Sequence, residues 1–375
     1  SRTGSIVVLS SMALVGRELA PHAALATLPL ALAPITTMLV TVPAACLMQR
    51  RGRKVGFALG AVLGMVGGLV GCVALFNEHF ALLCVGAVGI GAVNGFSTYY
   101  RFAAAEVVDE SRRSRAISLV MAGGIVAAVA GSNLASWSRG LFPEHLFAGS
   151  YLAIAGIQVL VLCALSFLRF PALSVAESAG GGRLLREIAR DARFVIALVG
   201  AVASWAVMSL LMNATPLSMH RHMHSFDDTA WVIQWHVLGM FVPSFFTGHL
   251  ISRFGEGRIM ASGLLLLALS AFTNLGGVAL HNYAVGLALL GVGWNLLFVG
   301  ATSLLATVYK PEEKARVQSA NDFLIYGLMV LTTFGSAPLE EAVGWEILNL
   351  MALPLLVCVA SVMWMMHRRD RFNRA

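Results

Sequence analysis

The sequence predicts an all-α membrane protein of twelve transmembrane helices in two six-helix halves, and three observations predict it. The chain is 58% hydrophobic and only 12% charged, about half the charge of a soluble domain. Apolar stretches long enough to cross a hydrocarbon core of about 30 Å recur from end to end. Motifs also repeat at a spacing of 202 to 203 residues. The net charge of +7 is not spread as a basic stripe with interleaved aromatics, so nucleic acid is not an expected partner.

Hydropathy places eleven spans, at 25–48, 55–76, 81–105, 116–136, 147–168, 194–219, 230–251, 259–280, 284–309, 317–339 and 345–366. Before them, segment 4–15 has twelve residues; at about 1.5 Å per residue it is too short to cross. Sidedness follows from Lys and Arg. With loop 49–54 assigned to one side and the others alternating, that side holds 21 of the 26 basic residues, which makes it cytoplasmic. The opposite loops hold Arg17, Arg139 and Arg221, while Arg2 and Arg101 fall inside predicted spans.

The repeat organises these spans. Arg50 and Gly52 in "QRRGRK" return as Arg253 and Gly255 in "SRFGEGR", 203 residues on. "GIG" at 89–91 returns as "GVG" at 291–293, 202 residues on, and each precedes an acid-then-base loop, "DESRRSR" at 109–115 and "PEEKAR" at 311–316. The expected organisation is an N-terminal half over 1–169, a cytoplasmic linker over 170–191 and a C-terminal half over 192–375. The counterpart of the span that starts near Phe194 would start before residue 1, so the first helix is expected to be truncated in this numbering. Within the linker, "SAGGG" is a flexible composition, and "RLLREIAR" suits a short interfacial helix. The five cysteines sit singly in five spans and read as small packing residues.

Two neighbouring spans carry the pattern with the most chemical content. Met208 and Met212 lie four apart in one, and His236 and Met240 lie four apart in the next. Residues at that spacing share a helix face. Thioether and imidazole are soft to borderline ligands that suit copper, Cu(I) above all, and suit Mg²⁺ or Ca²⁺ poorly. Met is also an ordinary filler of apolar helices, so spacing alone leaves packing open. Two features favour a site. His236 is ionisable inside a membrane helix, where such residues are usually functional. The pattern is also missing from the other half: 202 residues back, Met208, Met212 and His236 correspond to Ile6, Ser10 and Pro34, and only Met240 meets a Met, Met38.

The outer loop between those spans, "MHRHMHSFDD", offers His220, His222, Met223 and His224. It reads either as a copper-capture loop or as a solvated loop with incidental histidines. Arg101 is the remaining intramembrane charge of note; it can pair with Glu106, face a cavity or extend to the inner interface.

The basic glycine turn after the second and eighth helices, set in two six-helix halves, resembles the major facilitator superfamily, whose signature there is G-x-x-x-D-R-x-G-R-[RK]. "ACLMQRRGRK" matches at Arg50, Gly52, Arg53 and Lys54, and "GHLISRFGEGR" keeps Gly248, Arg253 and Gly255. The resemblance implies the fold of that superfamily and a carrier, not an enzyme. Gln49 replaces the signature Asp, which in the family helps lock the halves together on the cytoplasmic side. Asp322, in "NDF" near the start of the eleventh helix, is the carboxylate positioned to pair instead with Arg50 or Arg53; alternatively it caps its own helix or meets a neighbour in its half.

M-x-x-x-M followed by H-x-x-x-M, with Trp294–Asn295 and "NDF", is similar to the CcoA-type bacterial copper importers. That resemblance implies copper uptake across the cytoplasmic membrane for assembly of cbb3-type cytochrome oxidase, with Met208, Met212, His236 and Met240 handling the metal. Copper is then the cargo and no cofactor is expected. The expected partners are the bilayer and copper-handling proteins on either side, and the expected state is a monomer in the bacterial inner membrane. A proton-coupled exporter of drugs or small metabolites is the alternative, weakened because Asp322 is the only acid well inside a span. A receptor on a transporter fold also remains open. No Walker motif is present, so ATP is not the expected driver.

Overall fold

The structure is a computed structural model that describes residues 15–374 except 17, 23, 24, 26, 27, 169 and 171–181. The short segment expected over 4–15, except residue 15, and half of the expected linker, residues 171–181, lie outside the described residues. The described residues are helical throughout, without strands. In chain order they form α1 (Leu28–Arg51), α2 (Arg53–Phe76), α3 (Phe80–Ser97), α4 (Tyr100–Glu106), α5 (Arg113–Ser138), α6 (Ala148–Phe167), α7 (Leu185–Ile188), α8 (Ala192–Arg221), α9 (Phe226–Phe241), α10 (Ser244–Phe254), α11 (Glu256–Leu275), α12 (Leu280–Leu305) and α13 (Lys314–Arg374). Among the described residues, eight helices are long and apolar enough to cross a membrane, one of them running over 311–366.

Each of the eleven predicted spans falls on helix, with three differences. Span 81–105 is divided between α3 and α4 at Thr98–Tyr99. Span 230–251 is broken between α9 and α10, where Pro243 has no N–H to continue the ladder. The last two spans join in α13, which turns at Gly344 with φ 81, a backbone region that favours glycine. The short linker helix is α7, whose Glu187 carboxylate accepts the Leu184 N–H at 3.1 Å and so satisfies one of the amides left over at a helix start.

The repeated basic turn has one backbone conformation at both sites. Gly52 precedes α2 with φ 88 and ψ 161, and Gly255 precedes α11 with φ 83 and ψ 156. Only glycine adopts this readily, which explains why glycine recurs there.

Contacts divide the chain into two compact units. One gathers the described residues of Ser1–Ala103, Val126–Gly181 and Pro311–Tyr326, the other those of Ala104–Ile125, Gly182–Lys310 and Gly327–Ala375. Each unit therefore includes a segment from the opposite end of the sequence. In the first unit, α2 and α3 pack backbone to backbone: a Cβ added at Gly89 would lie 2.6 Å from Gly67 Cα. Small residues allow such approach, and in a lipid environment close packing drives helix association. In the second unit, α12 is gripped from two sides. Gly293 lies against Gly263 and Leu267 of α11, and Gly291 against Gly239 and the His236–Met240 turn of α9. Large side chains such as Leu39, Leu160, Val126, Leu265 and Phe272 point outward, the arrangement expected of lipid-facing positions.

Candidate transport site

The second unit holds the four metal-ligand candidates. Met208 and Met240 are buried, His236 is fully buried and Met212 is half-buried. The contact of Gly291 with α9 brings the two backbones close, and this sets where His236 goes. Its Nδ1 lies 2.9 Å from the carbonyl oxygen of Leu287, one turn earlier on α12. A carbonyl only accepts, so Nδ1 carries the proton and donates, and Nε2 keeps its lone pair. Nε2 is buried and has no hydrogen-bond partner. Metal-binding histidines commonly show this arrangement, one nitrogen fixed by a carbonyl and the other presented to the metal.

The level of the two pairs follows from Trp294. Its ring meets Trp205 of α8 edge-on at 5.0 Å, Phe241 of α9 at 6.1 Å and Phe298 of its own helix at 5.2 Å. Met208 follows Trp205 by about one turn, and Met240 adjoins Phe241. The four candidates thus lie at and beyond one aromatic layer. The two helices bearing them are neighbours in sequence, but each packs mainly on α12 and hardly on the other.

Asn295 has a bracing role that the sequence did not reveal. Its Nδ2 donates to Met240 O at 2.7 Å and to Ser244 Oγ at 2.5 Å, and its Oδ1 accepts from Thr247 at 2.7 Å. It braces the break between α9 and α10. A proline inside a predicted span, together with a polar Asn on another, was the available signal. Ser118 of α5 adds a second brace: it donates to Ser244 O and accepts from the Gly248 N–H at 3.0 Å.

The outer-loop residues are tied down separately. His222 Nδ1 lies 2.8 Å from Ser218 O and 3.3 Å from the Tyr283 hydroxyl, while His224 Nε2 lies 2.7 Å from Val278 O. His220 is exposed, and Met223 is 91% exposed with φ 61. Among the described residues, no three His, Cys, Asp or Glu side chains group to hold a metal.

Of the gate residues, Arg50 is exposed, and Asp322 forms a buried ion pair with Arg101. Arg53 instead reaches Gln318 at 2.7 Å, one turn before Asp322.

The sequence model of the Major Facilitator Superfamily matches residues 1–223 and 196–375. The chain belongs to this superfamily of membrane transporters. It is 40% identical over 355 residues to the riboflavin transporter RfnT of Brucella anthropi, covering 94% of this chain and 89% of that one. Its fold is similar to the fucose:proton symporter FucP of E. coli (TM-score 0.71, 18% identity, 98% and 97% of the two chains). It is likewise similar to the human organic anion transporter MFSD10 (TM-score 0.79, 14% identity, 96% of each). At those identities the two structures speak to the fold alone.

Proposed function

We propose that this transporter imports copper across the bacterial cytoplasmic membrane by alternating access, the halves 1–169 and 192–375 rocking about a site near the middle of the bilayer. One observation carries the reading: the fully buried His236 has its Nδ1–H fixed on Leu287 O and its Nε2 lone pair without a partner. That is a ligand held ready for a soft or borderline cation, on a helix that also presents Met240. Met208 and Met212 supply two more thioethers across α12. Each of the two helices packs mainly on α12 and hardly on the other, which favours an ion passed between two-ligand stations over one held by all four at once. Neutral ligands in such stations bind reversibly, which a carrier requires. The resemblance to CcoA-type importers adds delivery to cbb3-type cytochrome oxidase assembly, and the crowding of Arg and Lys on one side supports a cytoplasmic position for loops 49–54 and 170–191.

A second reading is favoured by a different observation. The 40% identity to a riboflavin transporter makes riboflavin, or a similar planar heteroaromatic, the rival cargo, and Trp205, half-buried above Trp294 and Phe298, is a surface on which such a ring would stack. Membership of the superfamily fixes the scaffold and not the cargo. Radioactive copper and radioactive riboflavin, offered in parallel to cells lacking their own carriers for both, separate the two. Copper uptake that falls at least tenfold in His236→Ala supports the first reading. Riboflavin uptake without copper uptake, indifferent to His236→Ala, would overturn it in favour of the second.

A further inference from the structure

Pro243 alone does not account for the break between α9 and α10, because α1 runs unbroken through Pro34 and Pro43. At the break the backbone turns to shorter rungs: Phe245 N–H goes to Val242 O at 3.2 Å and Phe246 N–H to Pro243 O at 2.8 Å. Pro243 has no N–H to offer Gly239 O, and Met240 O is met by the Asn295 amide of α12 at 2.7 Å. Asn295 is fully buried and gives its other amide hydrogen to Ser244 Oγ. The break is therefore held from outside the helix, by a side chain bonded to the backbone of a candidate ligand, Met240.

Ser244 is held a second time, by Ser118 of α5; both belong to the second unit, as do Met240 and Asn295. The Ser118 hydroxyl donates to Ser244 O and accepts the Gly248 N–H at 3.0 Å. Those two backbone groups lie four residues apart, so in a helix they are each other's partners. Ser118 thus bridges both ends of one rung of α10. Gly248 makes room for it: a Cβ there would lie 2.6 Å from Arg115 Cα. A contact of this kind separates without leaving a buried polar group unpaired, which is the costly outcome. Ser244 O and Gly248 N–H keep each other, and the freed Ser118 hydroxyl can turn to the carbonyl of Ser114, four residues back. The repeated architecture does not demand the arrangement: at the 202-residue spacing Ser118, Ser244 and Asn295 correspond to Ala320, Val42 and Val93.

We propose that Ser118, Ser244 and Asn295 are positioning residues that couple cargo held against α9 to the seating of α5 on α10. Ser244 is the joint, its carbonyl on Ser118 and its hydroxyl on Asn295. With α5 seated, Asn295 holds Met240 O and the ligand face of α9 is set for cargo. When α5 withdraws, Ser244 is released on one side, Asn295 loses a fixed second partner, and Met240 is held less firmly. The coupling is reciprocal: bound cargo fixes Met240 and thereby favours the seated α5. The proposal rests on the part of the reading above that puts cargo against α9, and not on which cargo it is.

The test uses purified protein with whichever of Cu(I) or riboflavin the wild type binds, so that failure of the copper reading leaves it intact. Spin labels are attached through Arg112→Cys and Arg258→Cys in a cysteine-free background. Both positions are exposed, one just before α5 and the other in the first turn of α11, and label-to-label distances are measured with and without cargo. Cargo should narrow the wild-type distances to one population. Ser244→Ala keeps the carbonyl under Ser118 but cuts the link to Asn295, so cargo should no longer narrow them. In Ser118→Ala the second population should grow in the cargo-free protein. Each variant should bind cargo about fivefold more weakly. The double variant should bind no more weakly than either alone, because both changes act through one joint. All three should melt within about 2 °C of the wild type, since no backbone group loses its partner. Distances that respond to cargo in Ser244→Ala as they do in the wild type overturn the proposal. So do losses of affinity that multiply in the double variant, wild-type distances indifferent to cargo, or affinities that fall only in step with melting temperature. Binding that is indifferent to His236→Ala counts against the copper reading alone.

Discussion

His236 illustrates how a residue's role depends on the atom that holds it. The Leu287 carbonyl fixes one tautomer and leaves a buried nitrogen without a partner. His236→Gln keeps a donor for that carbonyl but cannot present a lone pair in the same place. It should keep the fold, with melting lowered by only about 2–4 °C, and lose copper uptake at limiting copper; melting curves and uptake on the same preparations check both. Trp294 has the opposite character. It is fully buried and touches three aromatic rings on α8, α9 and α12. Trp294→Ala should cost about 3–5 kcal/mol, seen as loss of folded protein in detergent before any change in specificity is measurable. The candidate ligands were legible because Met and His at a four-residue spacing stand out in apolar helices. The partner of Asp322 was not legible, because Arg101 is 221 residues away and no local pattern reports which of several arginines faces a given helix.

The elements are placed by glycines at contacts, and substitutions there separate contact from composition. A Cβ on Gly89 or Gly293 would meet backbone of the facing helix at 2.6 to 2.9 Å, and backbone cannot step aside. Gly156, also within a helix, has nothing within 4 Å of such an atom. Gly89→Ala and Gly293→Ala should therefore lower the melting temperature, whereas Gly156→Ala should hold or raise it, worth up to about 1 kcal/mol from helix propensity. Thermal unfolding of the three variants in one detergent checks the ordering. The repeat was read from these glycines at a spacing of 202, and the structure refines it. Gly89 meets α2 and Gly91 meets α1, while Gly291 meets α9 and Gly293 meets α11. The two copies approach their neighbours in reversed order, so Gly89 is matched in space by Gly293. Periodicity found the repeated element, but a shift of two residues within a helix leaves the hydrophobic pattern almost unchanged and is invisible to it.

At the scale of the molecule, the chain divides so that each unit takes up a segment that contains an acid-then-base loop. Residues 104–125 join the second unit and 311–326 the first. A change that fills the Gly248 contact with the Arg115 backbone, such as Gly248→Leu, should keep α5 from seating. It should reduce uptake more than tenfold while copper or riboflavin binding is retained; uptake in vesicles against equilibrium binding on the same protein checks this. The fold was legible at this scale because the bilayer imposes span length directly on composition. The cargo was not, since a carrier's specificity rests on a few side chains within a scaffold common to many.

Copper K-edge X-ray absorption on the purified transporter loaded with Cu(I) decides whether His236 is a metal ligand. The wild type should show a sulfur shell with one imidazole nitrogen, and His236→Ala should lose the nitrogen. A spectrum unchanged by that substitution would refute copper coordination at His236, as would a protein that retains no copper yet quenches riboflavin fluorescence on mixing.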